Sequence, residues 1–256
     1  MDLKEKLVSS FLAFENKGIL DLDSSVHTIR TKAIQNFETE GFPSKKDEEW
    51  KYTSLKPLLK HDFSLFSSKE KSIGFKNIEN YLINDIESYT LIFIDGVFSS
   101  FLSDTTHEDC DVCVLSSALT RPKYKMVVDN YFNTIAKNNN SLSELNTAFT
   151  KEGAIFNIPK NTIVAKPIQI LNFSTGSENE ILLQPRNLIV VGENSHVQII
   201  ECHQNLSKNT TLTNSVTEIF VHKRAIVDYY KIQNDTENSS LIDSTFVSQK
   251  QQSVAS

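Results

Sequence analysis

The chain has 256 residues, a net charge of −6 and a pI near 5.6, with 39% hydrophobic and 23% charged residues. A chain of this size can bury roughly three quarters of its unfolded surface. Its acidity argues against nucleic-acid binding, which needs basic residues to replace phosphate counterions.

The opening MDLKEKLVSSFLAF lacks the continuous apolar run and the cleavage site of a secretory signal. It also carries Asp2 and Glu5, which an organellar transit peptide avoids. Leu3, Leu7, Val8, Phe11 and Leu12 instead fall on one face at helical spacing. Val26, Ile29, Ala33, Ile34 and Phe37 form the stripe of a second helix. Gly41 suits its C-terminal cap, and Pro43 blocks continuation. The next stretch, GFPSKKDEEWKYT (41–53), holds the only tryptophan. Ser44 and Asp47 signal a new helical turn. Trp50 and Tyr52 are expected to bury as structural anchors while Lys45 to Glu49 stay in water.

Residues 89–98 (YTLIFIDGVF) read as a strand with a tight turn at Asp95-Gly96, a pair that accepts positive φ. Asp111 to Leu115 reads as another strand. Val127, Val128, Tyr131, Phe132, Ile135 and Ala136 return to helical spacing, and Asn138-Asn139-Asn140 breaks that helix. Ser141 and Glu144 have the spacing of a capping box for the short helix SLSELNTAF.

After Thr150 helical periodicity stops. Short Ile/Val/Leu/Phe-rich runs follow at 154–158, 167–173, 187–191, 197–202, 215–221, 225–232 and 241–247. They predict two regions, mainly helical over 1–150 and all-β over 151–256. Alternation and the lack of Asn-Gly or Asp-Gly in this half suit a β-solenoid, but no strict repeat is visible. Pattern alone leaves solenoid and sandwich both open.

Candidate chemistry is sparse. His107, Cys110 and Cys113 have the His-x2-Cys-x2-Cys spacing that could clasp zinc, yet no fourth ligand lies nearby. A buried strand position for Cys113 is the plainer reading. Glu201-Cys202-His203 invites a nucleophile–base reading, but adjacent strand residues point to opposite faces. One of Cys202 and His203 is expected inward and the other outward. Glu201 has no matched second carboxylate. No GxxxxGK[ST], GxGxxG or GxSxG occurs, so no phosphate-cradling loop or nucleophile elbow is offered. No stretch approaches the roughly 18 apolar residues of a membrane-spanning helix. Three Cys do not suggest a disulfide framework, so a reducing cytoplasm is expected.

GFPSKKDEEWKYTSL resembles the early motif of the SufB/SufD family of iron–sulfur cluster assembly proteins, on its SufD side. The motif residues here are Pro43, Asp47, Glu48, Trp50, Lys51 and Tyr52. LIFIDGVFSSFLSD, LNTAFTKEGAIFNIPKNTIVAKPIQIL, PRNLIVVGENSHVQIIECH and TNSVTEIFVHKRAIVDYYKIQND are similar to successive family segments in the same order. The resemblance implies an α+β architecture: a mainly helical N-terminal region, then a right-handed parallel β-helix. Further coils and a C-terminal helical domain would follow, so the chain reads as an N-terminal fragment truncated before the solenoid ends.

It also implies a non-catalytic scaffold subunit that pairs with a SufB-type β-helix and a SufC-type ABC ATPase. The contact region for that ATPase lies in the missing part. The complex, not this chain alone, would handle the iron–sulfur cluster, and the partner would bind ATP. The family's cluster-assembly histidine lies later in the core, so His196, His203 and His222 do not inherit its role. The alternatives are a zinc-binding or other standalone interaction module and a β-helix enzyme acting on polysaccharides.

Overall fold

Two amphipathic helices open the chain. A computed structural model describes residues 2–16, 25–65, 73–83, 85–104, 111–137, 140–175, 179–234 and 237–256. Helix α1 spans Leu3–Asn16 and α2 spans Ser25–Glu40. Asp2 and Glu5 cap α1 reciprocally, each carboxylate accepting from the other's amide at 2.8 and 3.1 Å. Leu3, Leu7 and Phe11 bury as the spacing requires, but Leu12 is 72% exposed, one position off the stripe. Gly41 ends α2 at φ 72°, its amide donating to the Phe37 carbonyl.

Strands β1 (Tyr89–Ile94) and β2 (Val97–Phe98) form the expected hairpin, with Asp95 and Gly96 both at positive φ. Strand β3 (Asp111–Val114) and helices α3 (Leu115–Thr120), α4 (Pro122–Tyr131) and α5 (Ser141–Phe149) follow. Two expectations fail here. Helix α4 stops at Tyr131 rather than running to Ala136, because Phe132 turns extended and Asn133 takes φ 57°. Helix α5 is capped by Asn140, whose Oδ1 accepts from the Ser143 amide at 2.8 Å. Glu144 instead accepts from Asn36 of α2.

The remaining strands are β4 (Ala154–Ile158), β5 (Ile168–Ser174), β6 (Ile181–Leu183), β7 (Arg186–Val191), β8 (His196–Asn205), β9 (Thr211–Val221), β10 (Ile226–Gln233), β11 (Ser239–Gln249) and β12 (Val254–Ala255). They alternate between two sheets, ordered β12-β10-β8-β5-β1-β2 and β11-β9-β7-β4-β3, with β6 beside β9. From β4 onward every pairing between these strands is parallel, so the fold is a β-solenoid of about three turns, not a sandwich. Strand β1 extends one sheet by pairing with β5, and β3 extends the other against β4. The N-terminal region is thus woven into both sheets.

The repeat that the sequence hides lies at one corner. Asn161, Asn194, Arg224 and Gln252 each take φ between 55 and 60° at successive turns. Their side chains stack: Asn194 Nδ2 donates to Asn161 Oδ1 at 2.9 Å, and Arg224 Nε donates to Asn194 Oδ1 at 2.6 Å. One half of the space between the sheets is apolar, filled by Phe93, Phe156, Ile170, Ile189, Ile199, Ile219 and neighbours.

The helices lie on the outer face of the β9 sheet. Phe11, Phe37, Leu145 and Phe149 cluster there with Leu182 and Leu212. Buried Arg30 ties three helices together, donating to Glu15 of α1 at 3.1 Å and to the Thr150 carbonyl that ends α5. Burial lowers its pKa to about 10, against the opposing pull of Glu15, so it stays charged at neutral pH. Among the described residues no helix is long and apolar enough to cross a membrane.

Candidate functional site

The other half of the solenoid interior is polar. Period-two alternation carries Glu201 and His203 to the same face as Val197 and Ile199, and Tyr229 and Lys231 to the face of Val227. Parallel stacking then sets Lys231 of β10 directly beside Glu201 of β8. Glu201 is fully buried and has four partners, among them Asn172 of β5, whose Nδ2 donates to Oε1 at 3.5 Å. His203 Nε2 lies 2.9 Å from Oε1, Lys231 Nζ lies 3.4 Å from Oε2, and the Tyr229 hydroxyl donates to Oε2. Tyr229 also meets Thr217 across the interior at 3.3 Å. Lys231 reaches on to Asp243 of β11, which accepts from Thr245.

Burial is the largest single influence on Glu201 and pushes its pKa up. Lys231, His203 and Tyr229 together outweigh it and hold the carboxylate ionised far below the usual range. Burial, then the Glu201 charge, raises the Tyr229 phenol well above its ordinary value, so it stays protonated, giving its one hydrogen to Glu201 and accepting from Thr217. Lys231 bridges the two carboxylates, and the groups of the network are bonded to one another. Its chemistry is that of a staple between coils.

Glu201 thus has partners that the sequence did not reveal. Lys231 and Tyr229 are about thirty positions away, and their signal was only polar residues at alternate places in an otherwise apolar strand. As expected, one of Cys202 and His203 faces inward and the other outward, though both are buried at 3% exposure. Cys202 packs outside the sheet with Leu171, Phe173 and Ile78, because residues 73–83 cover that face. Burial, then Glu201, raises the Cys202 thiol to about 11. Among the remaining histidines, His196 meets Asp228 at 2.8 Å and His222 meets the Tyr131 hydroxyl at 3.1 Å, both at the outside of the coils.

A second buried pair locks the helices to the outer face. Arg186 of β7 and Glu218 of β9 meet at 2.6 Å with neither side chain exposed. Glu218 also accepts from the backbone amides of Asn133, Ile135 and Ala136. This carboxylate is the physical reason that α4 unwinds early. The freed amides bind Glu218, and Arg186 lies 4.8 Å from the Phe132 ring centroid.

For the zinc candidates, His107 and Cys110 lie outside the described residues. Cys113 is buried in β3 among Val26, Leu188, Val190 and Phe220, as a packed hydrophobe. Among the described residues no group of three or more His, Cys, Asp or Glu is placed to hold a metal.

The motif of residues 43–52 lies on the surface. Ser44 and Asp47 form the expected turn, the Ser44 amide donating to Asp47 at 2.7 Å. Glu48–Trp50 is a short 3-10 turn. Pro43 and Trp50 are half-buried, and Asp47, Glu48 and Lys51 are exposed. The expected burial of Tyr52 is wrong: it is 89% exposed, beside the Lys51 ammonium. Leu55 buries instead and anchors the loop. Trp50, Leu55 and Leu58 wall a groove of about 580 Å³ whose floor is Ser239 to Ser244 of β11.

Comparison with known proteins follows the same two regions. Residues 1–170 match the family described as SufBD protein N-terminal region. Residues 173–256 match the SUF system FeS cluster assembly SufBD core domain. An iron–sulfur cluster assembly SufBD family protein of Synechocystis sp. is 31% identical over 219 residues, covering 82% of this chain and 48% of the relative. A protein of the same description from Staphylococcus saprophyticus is 36% identical over 256 residues, covering 86% of this chain and 55% of the relative. The chain spans about half the length of these curated relatives. With both family regions matched in order on helices and solenoid, the chain belongs to the SufBD family of iron–sulfur cluster assembly proteins.

Proposed function

We propose that the protein is a non-catalytic scaffold subunit of a SufBCD-type complex, working in the cytoplasm. In this reading its solenoid docks a SufB-type subunit, and a SufC-type ATPase supplies ATP hydrolysis. The iron–sulfur cluster is the cargo of the complex, assembled there and passed to recipient proteins.

The observation that carries the reading is the network that ties the polar half of the interior to β11. Glu201, His203, Tyr229, Lys231 and Asp243 are committed to one another. Such a core stiffens a surface for partners. The sequence likewise offers no phosphate-cradling loop, which suits an ATPase on a separate chain.

The test is co-expression with the SufB-type and SufC-type proteins of the same organism, followed by capture on this chain. Stoichiometric recovery of both, with cluster absorbance that depends on the captured complex, is the expected result. Recovery of neither partner, with stoichiometric zinc on the purified protein, would overturn the reading in favour of a zinc-binding interaction module. Turnover of a polyuronide would favour the polysaccharide-acting enzyme.

A further inference from the structure

The polar half of the solenoid interior borders a narrow cavity of about 10 Å³. Its walls include Gly96 at the β1–β2 turn, Asn172 and Ser174 of β5, His203 of β8, Thr213 of β9 and Ser239 of β11. Asn172 lies directly beside His203 in the parallel register of β5 and β8. Thr213 comes from the facing sheet.

Hydrogen bookkeeping around Glu201 shows what these groups still need. An ionised carboxylate only accepts. His203 Nε2 therefore carries the hydrogen of its 2.9 Å bond to Glu201, and Asn172 turns its NH2 group to the same carboxylate at 3.5 Å. His203 Nδ1 and Asn172 Oδ1 are left over. Among the described residues, neither these two atoms nor the Thr213 hydroxyl has a protein hydrogen-bond partner. His203 and Thr213 are only 3% and 7% exposed, a depth at which polar groups are almost always hydrogen-bonded.

We propose that this cavity is the site of one ordered water, which donates to Asn172 Oδ1 and hydrogen-bonds both His203 Nδ1 and the Thr213 hydroxyl. Size and chemistry together select the ligand. The volume is about that of one water-sized sphere, and three polar partners are the usual number for a buried water. Asn172 Oδ1 only accepts, which turns away an anion such as chloride. Glu201 already spends its oxygens on four partners, which leaves a metal ion no carboxylate to bind. Water both donates and accepts, so it suits all three groups at once. In this position it ties β5 and β8 to β9 of the facing sheet and fixes the His203 ring against Glu201. The inference rests on the interior geometry and stands or falls independently of the scaffold role.

The test uses the full-length protein. A high-resolution crystal structure should show one density peak of water height within hydrogen-bond distance, roughly 2.7–3.2 Å, of His203 Nδ1, Asn172 Oδ1 and Thr213 Oγ1. In solution, histidine-labelled protein should show magnetisation transfer between a long-lived water and the His203 ring protons. Thr213→Val keeps the side-chain shape and removes the hydroxyl. It should weaken that transfer several-fold while the Nε2–H signal of the bond to Glu201 persists. Thr213→Leu should fill the cavity and abolish the transfer. The inference is overturned if His203 Nδ1 or Asn172 Oδ1 bonds a protein group directly with no water between. It is equally overturned if the density refines as a heavier ion, or if Thr213→Val leaves the transfer unchanged.

Discussion

Arg186 and Glu218 face each other at 2.6 Å on neighbouring strands, both fully buried, and Glu218 also holds three amides of a helix that would otherwise run on. Removing one member of such a pair leaves an uncompensated buried charge, which typically costs about 3–5 kcal/mol. Glu218→Ala should therefore destabilise by about that amount in urea unfolding. Arg186→Met with Glu218→Leu should cost less than the sum of the two single changes. A strictly additive double-mutant cycle would show that the pair is not coupled.

The Glu201 network makes a pH prediction. The carboxylate's folded pKa lies below its ordinary value of 4.5, through Lys231, His203 and Tyr229 acting against burial. The unfolded chain therefore takes up the proton first as pH falls. The stability linked to Glu201 is fully present above about pH 4.5 and is lost progressively below it. Urea midpoints measured from pH 7 to 3 should fall at the acid end. Glu201→Gln should flatten that part of the curve while lowering stability at pH 7. An unchanged acid slope in the variant would refute the assignment.

Gly153 and Gly192 sit where neighbouring coils nearly touch. A Cβ at Gly153 would lie 1.5 Å from the Arg186 carbonyl oxygen, and one at Gly192 would lie 2.7 Å from that of Ile158. Neither clash can be relieved by a side-chain rotation, because the blocking atoms are backbone. Gly192→Ala should cost about 1–3 kcal/mol, the usual range for overpacking. Gly153→Ala should exceed that range and show chiefly as lost soluble protein. Equal melting temperatures for the two variants would contradict this ordering.

Cys202 should be chemically silent in the native state. Its thiol is 3% exposed and raised to about 11, so little thiolate exists at neutral pH and little of the sulfur is reachable. Labelling with a thiol reagent at pH 8, followed by peptide mass analysis, should modify Cys202 only after denaturation. Rapid native labelling at that site would show that the cover supplied by residues 73–83 opens readily.

Local pattern alone determined much of this protein. The stripe of α2, the Gly41 cap, the Asp95-Gly96 turn and the alternating strands after Thr150 are all set by neighbours within a few residues. Periods of 3.6 and 2 are visible at that range. The order of motifs was equally legible and pointed to the right family. Tertiary structure decided the rest, because the coil-to-coil interval is about thirty residues and constrains only size, polarity and charge at each interior place. Glu201 meets Lys231, and Glu218 unwinds α4 from 82 to 85 positions away, only once the coils have stacked. Tyr52 stays in solvent although its sequence suggested an anchor, because Leu55 and Phe63 already fill the apolar surface that the loop crosses. Short-range periodicity fixes what each segment is. Which segments meet depends on register between coils, and no local pattern encodes that.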